Sequence, residues 1–354
     1  MTRIVVAGGG AIGASVAYHL ALAGADDVVL ADAGEVAGGA TSKGMGGVRQ
    51  QFSTPAEVRL AQASIRFFEE LGPPYFEQVG YLFLATTEEG LTALEERRAV
   101  QVELGVPVER VEPRRIAELV SGIATDDVVG GVFCATDGVG NPVAVTRELV
   151  RRAADLGVVV RERTPAERMD ADVFVLACGA WSGRAAARFG IDLPIRPLCR
   201  QLVETTPITG LPPRLPMTIE AESGFHFRGR GDRLVLAMAD AEPRWSFRAE
   251  VDESVLDDRL ARLRHRFRAD ADAEVADAWA GLYDMTPDAH PIIGLVADHV
   301  YAACGFSGHG FMQSPAVGRA LAEEILEGTS SFDLAPYRLD RFAGGTVLPE
   351  TVVL

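Results

Sequence analysis

The stretch Ile4-Val5-Val6-Ala7, Gly8-Gly9-Gly10-Ala11-Ile12-Gly13, followed by an alanine-rich segment and then Val28-Val29-Leu30-Ala31-Asp32, decides the fold. Its order is strand, glycine turn, helix over 14–23 closed by Gly24, second strand and acid. Each part suits a dinucleotide. Gly8 permits the tight turn, Gly10 lets the backbone approach a pyrophosphate, and Gly13 lets the helix pack near the strand. Ala11 and Ile12 lie on the turn where the helix N-terminus offers N–H groups and its positive dipole end to phosphates. Asp32 stands about 20 residues beyond the glycines, where a carboxylate accepts ribose hydroxyls. A competing reading is a secretory leader, with Arg3 before an apolar stretch and Ala21-Leu22-Ala23-Gly24-Ala25 as a small-residue cleavage site. The glycines and His19 interrupt its apolar centre.

With 354 residues the chain suits two interleaved lobes, and it has no uninterrupted apolar run able to span a membrane. A formal charge of −16 disfavours nucleic acid and anionic membrane as partners. Cys134, Cys178, Cys199 and Cys304 are scattered, with no CxxC pair and no histidine spacing for zinc. Reduced thiols, a cytoplasmic location and no structural metal are expected. Lys43 is the only lysine against 33 arginines, a bias that base composition of the genome explains, and any mechanism needing a lysine has one candidate.

After Asp32 comes a loop of glycines and hydroxyls, Gly38-Gly39-Ala40-Thr41-Ser42-Lys43-Gly44-Met45-Gly46-Gly47-Val48-Arg49, which reads as backbone pressed against a ligand. An amphipathic helix is expected over 55–71, with Ala61, Ile65, Phe68 and Leu71 on one face. A strand follows over 80–86 and a charged helix over 87–104. Asn141 caps a helix over 142–156 with Pro142 in its first turn. Residues 158–160 and 173–177 read as strands, the second running into Ala177-Cys178-Gly179-Ala180-Trp181-Ser182. Residues 195–238 alternate and turn as an antiparallel sheet, and 251–269 reads as an arginine-rich helix. The strand 300–304 precedes Gly305-Phe306-Ser307-Gly308-His309-Gly310 and a helix over 315–326. The fold class is therefore α/β, α+β overall. A Rossmann-type nucleotide-binding lobe takes 1–80, 140–195 and 275–354, and a mainly antiparallel substrate lobe takes 81–139 and 196–274.

These motifs, with Asp284-Met285-Thr286-Pro287-Asp288 and the extension of the last turn to Phe311, resemble the FAD-dependent amine and amino-acid oxidoreductases over essentially the whole chain. That superfamily takes in D-amino-acid oxidase, glycine oxidase, sarcosine oxidase and dehydrogenase, and the proline dehydrogenase beta subunits. The resemblance implies extended FAD on the first lobe, with Asp32 at the adenosine ribose and Thr41 and Ser42 near the pyrophosphate. It adds Gly46, Gly47, Ala177, Gly179, Gly305, Gly308, His309, Gly310, Phe311 and Met312 as cofactor contacts. The last glycine turn would set N–H groups at the pyrimidine end of the flavin, where they stabilise negative charge. The implied reaction is hydride transfer from the carbon next to an amine to flavin N5, giving an imine that water hydrolyses. Such chemistry asks for a cation on the substrate carboxylate and a dry pocket. Arg49 is the first choice for that cation and Arg228 the second, since a guanidinium forks onto a carboxylate. His226, Tyr283 and His309 are further candidates at the catalytic pocket. Trp181 is expected to pack under the sheet, and His290-Pro291 reads as a turn.

The departures from the family pattern are as informative. Where monomeric sarcosine oxidases attach flavin through cysteine, this chain has Gly281, so FAD is expected to be non-covalent. Met312 stands at their carboxylate-binding lysine and Phe52 at their second arginine, which leaves a reduced carboxylate grip. The strand matching their oxygen-activating lysine reads Leu234-Val235-Leu236. The absence of that cation favours a dehydrogenase passing electrons to a quinone or partner flavoprotein over an oxidase using oxygen. The small-molecule partner is an amine or amino acid. Two other classes are an NAD(P)-dependent dehydrogenase using the first motif alone and a flavin-bearing assembly or binding protein without amine oxidation.

Overall fold

Strand Arg3–Ala7 lies inside a six-stranded sheet whose order is Ile292–Ala297, Val300–Cys304, Val173–Leu176, Arg3–Ala7, Asp27–Ala31, Val159–Arg161. In this computed structural model, which describes residues 2–268 and 273–344, the pairings are parallel apart from the antiparallel edge of Ile292–Ala297 on Val300–Cys304. Helices cover the sheet, so its inner strands are near-continuous apolar runs, and Ile4, Val5 and Val6 are buried with Val175 and Ala302. Helix Ala11–Leu22 packs against Pro142–Asp155 and Gly310–Glu327. Its closest approach to the latter is at Gly318, where a Cβ would lie 2.2 Å from Ser15 Oγ.

The second sheet runs Arg244–Trp245, Arg196–Thr205, Arg233–Ala237, His226–Arg230, Met217–Glu220, Tyr81–Ala85, Gly130–Cys134, Val108–Val111. It is antiparallel except where Met217–Glu220 meets Tyr81–Ala85. Strand Val275–Met285 also joins it, paired with Arg196–Thr205 along most of its length. Pairing thus carries the second sheet to Met285, beyond the lobe boundary read at 275, because Val275–Met285 satisfies its backbone there. A small sheet of Gly47–Val48, Gly138–Gly140 and Phe76–Glu77 completes the strands of these sheets.

Most helices fall where periodicity put them, including Pro55–Leu71, capped by the Thr54 side chain, and Pro142–Asp155, capped by Asn141. The helix read over 315–326 starts earlier, at Gly310, with Pro315 inside it. Proline cannot donate to the carbonyl four residues back, and the Ser314 hydroxyl donates to Phe311 O instead, at 2.9 Å. The helix read over 251–269 is Leu256–Arg266 after a short turn, and residue 269 lies outside the described residues, as do 345–354 of the first lobe. Trp181 is 43% exposed beside Phe247 rather than packed under the sheet. His290 is buried, with Nδ1 at 3.1 Å from the Glu57 carboxylate, so it anchors the helix Pro55–Leu71 as well as turning the chain.

Candidate functional site

Three glycine turns leave the carboxyl ends of three adjacent parallel strands: 8–13 after Arg3–Ala7, 177–182 after Val173–Leu176, and 305–310 after Val300–Cys304. Crevices at such strand ends are where α/β sheets bind ligands. Gly8 has φ +108°, and a Cβ there would lie 2.2 Å from Ala177 O, while one at Gly13 would lie 1.8 Å from Gly8 O. Gly10 differs, since its nearest listed neighbour would be Thr41 Oγ1 at 3.3 Å, which leaves room for an approaching phosphate. The Thr41 hydroxyl accepts the Ala11 N–H at 3.1 Å, so Thr41 reaches the helix N-terminus.

The Asp32 carboxylate is held by the Gly9 and Gly34 N–H groups, each at 2.6 Å, with lone pairs remaining for a ribose. Ser42, in the turn Ala40–Lys43, donates to the Gly38 and Gly39 carbonyls and is exposed. Gly46 and Gly47 are required by the protein itself: a Cβ would lie 2.2 Å from Gly140 O at the first and 2.7 Å from the Tyr81 hydroxyl at the second. The loop glycines therefore answer to packing in part, where sequence reading assigned them to a ligand. Ala177 is buried and Gly179 is in the left-handed region facing open space. Gly305 is pinned by the Asp284 carboxylate at 2.7 Å, and burial pushes that carboxyl up to about 6. A Cβ at Gly308 would lie 2.5 Å from the Tyr283 ring, and one at Gly310 would lie 3.3 Å from Phe306. Phe311 packs against Phe68. An uncapped helix at Gly10, an open Gly10 face and a fixed carboxylate at Asp32 fit an extended dinucleotide. We expect Asp32→Ala to purify folded but with under a tenth of the flavin of the parent, read from visible absorbance and a melting curve. A fully yellow variant would remove Asp32 from the ribose.

Arg49 is buried, its Nη1 donating to Gln51 O and its Nη2 at 3.3 Å from His309 Nε2. The guanidinium lies 4.1 Å above the Phe52 ring, and His309 meets that ring edge-on at 5.2 Å. Phe52 and Met312, which occupy the positions of the relatives' cations, are thus part of the core. Asp137 went unrecognised in the sequence, yet it accepts from the Gln50 backbone and side chain, both at 3.0 Å, and from Gln51 at 3.1 Å. It locks the backbone beside Arg49, and burial pushes its carboxyl up to about 6.

A cavity between the turn Ala40–Lys43 and the second sheet is lined by Lys43, Met45, Arg200, His226, Met238 and Tyr283 among others. His226 Nδ1 lies 2.8 Å from Gly224 O, and burial lowers the ring to about 4, so it is neutral near pH 7 with Nε2 as an acceptor. The Tyr283 phenol, shut off from bulk solvent, is pushed above its ordinary value by that enclosure. Arg228 shares the sheet face of His226 two residues on, but it bonds Gly229 O at 3.2 Å and is not among the lining residues. Enclosure lowers its guanidinium to about 10. Arg200, missed in the sequence, takes that place. At Gly281 a Cβ would lie 2.7 Å from Lys43 Cβ, so the lysine stem fills the space the missing side chain leaves.

Among the described residues no cluster of His, Cys, Asp and Glu could hold a metal, and no helix is long and apolar enough to cross a membrane. The chain is similar to 4-methylaminobutanoate oxidase (formaldehyde-forming) of Paenarthrobacter nicotinovorans, 26% identical over 97% of this chain, which spans 46% of that protein. It is 27% identical to the glycine oxidase of Geobacillus kaustophilus (strain HTA426), covering 96% of this chain and 97% of that one. The crystal structure of L-proline dehydrogenase from P. horikoshii superposes with a TM-score of 0.90 at 27% identity, covering 98% of this chain and 99% of the other. Residues 3–324 match the DAO family, described as FAD dependent oxidoreductase, and the chain belongs to that family.

Proposed function

We propose that this FAD-dependent oxidoreductase oxidises an amino-acid-like amine at the carbon next to nitrogen, and that it works as a dehydrogenase. The observation that carries the reading is the buried Arg49 guanidinium, set against His309 at the start of helix Gly310–Glu327. Support comes from the likeness to proteins named for 4-methylaminobutanoate, glycine and L-proline, each an amine with a carboxylate. Bound FAD supplies the two-electron acceptor. Arg49 holds the substrate carboxylate by its planar fork. Neutral His226 accepts a hydrogen bond from the substrate nitrogen through Nε2, and a base with a pKa of about 4 leaves the amine to arrive uncharged. Met45, Leu202, Met238 and Leu282 keep water from the reacting carbon.

Gly281 carries no nucleophile for covalent attachment, which supports a non-covalent cofactor. Leu234, Val235 and Leu236 are buried and apolar, so no cation there assists oxygen reduction, which supports a quinone or partner flavoprotein as acceptor. The test is the visible spectrum of the flavin-loaded protein under anaerobic conditions with sarcosine, glycine, L- and D-proline and other D-amino acids, then with air. Bleaching by an amine and slow recovery in air are expected. Recovery within the mixing time makes it an oxidase, and a flavin that no amine bleaches favours an assembly or binding protein.

A further inference from the structure

The cavity beside Arg49 holds more positive charge than one carboxylate requires. Its lining residues include Arg200 and Lys43 and no Asp or Glu. Among the described residues Arg200 has no ion pair, and its Nε and Nη1 are buried without a hydrogen-bond partner. Buried charged donors are costly to leave unmade, and elsewhere in this chain buried arginines are matched, as Arg266 is by Glu220 and Asp127. Arg200 sits directly across from Gly281 in the strand register. The Lys43 stem packs over that same glycine, so the two cations share one end of the cavity. His226 and Tyr283 lie in the fields of both Arg200 and Arg49. Two like charges brought together with no acid lining the cavity call for an anion from outside.

We propose that the cavity takes an amine bearing two carboxylates, one held by Arg49 and the second by Arg200 with Lys43. This rests on reading the cavity as the amine site. It accounts for the departures at Met312 and Phe52: the cationic grip stands on the strand Arg196–Thr205 and the turn Ala40–Lys43 instead.

Calorimetric titration of the flavin-loaded protein with succinate, glutarate and adipate, against butyrate and pentanoate, tests it without turnover. The best dianion is expected to bind at least tenfold more tightly than either monoanion. Arg200→Met should bring the two classes within twofold while leaving butyrate unchanged, and Arg200→Lys should keep most of the preference, which guards against a folding defect. Equal binding of both classes, a preference that survives Arg200→Met, or no binding of any of these acids would overturn the proposal. Amines that bleach the flavin without regard to a second carboxylate would sink it and spare the oxidation. Preferential dianion binding with no amine bleaching the flavin would leave the anion site standing and sink the oxidation.

Discussion

Substituting lysine for Arg49 is expected to raise the amine concentration for half-maximal flavin reduction by about a hundredfold, with flavin content within about twofold of the parent. A charge-assisted hydrogen bond contributes roughly 1.5–3 kcal/mol, and lysine keeps the charge while losing the fork. The surroundings are shaped for the planar group. Arg49 reaches Gln51 O and His309 from its two terminal nitrogens while its flat face covers Phe52. A tetrahedral ammonium can serve one of these at a time. Rapid-mixing measurement of flavin bleaching separates binding from the chemical step, and identical concentration dependence in both proteins would take Arg49 out of the substrate site.

Gly13→Ala should be the most damaging single change in the first lobe, giving protein that is insoluble or free of flavin. The added methyl would lie 1.8 Å from Gly8 O, a backbone atom in a turn fixed by the Gly8 N–H to Ala31 O bond at 2.8 Å. Relief means sliding the helix Ala11–Leu22 off its strand, and overpacking of this kind costs on the order of 3 kcal/mol or more. Gly39→Ala is the control, since nothing lies within 4 Å of its added methyl. It should melt and bind flavin as the parent does. A Gly13→Ala protein with full flavin and an unchanged melting temperature would show that the turn yields.

The first lobe was legible because its information is local: apolar strands, glycine turns and a terminal acid each sit within about 30 residues. Arg49 was legible for the same reason, standing at the end of a distinctive loop. Asp137 was not, because its bonds to Gln50 and Gln51 join segments 86 or 87 residues apart. Arg200 was hidden among 33 arginines, and only the register with Gly281 sets it apart. The start of the last helix was masked by Pro315, whose usual meaning as a first-turn residue is overridden by the Ser314 hydroxyl.

Strand Arg3–Ala7 pairs with Val173–Leu176, which pairs in turn with Val300–Cys304. The first residues made on the ribosome therefore wait for some of the last before their sheet is whole. At roughly 5–20 residues per second, that delay is about 15–60 s. Throughout it, one face of an apolar βα unit is without its cover, which makes early chaperone contact a condition of yield. Translation rate, rather than the melting temperature of the finished protein, then sets how much of it a cell obtains.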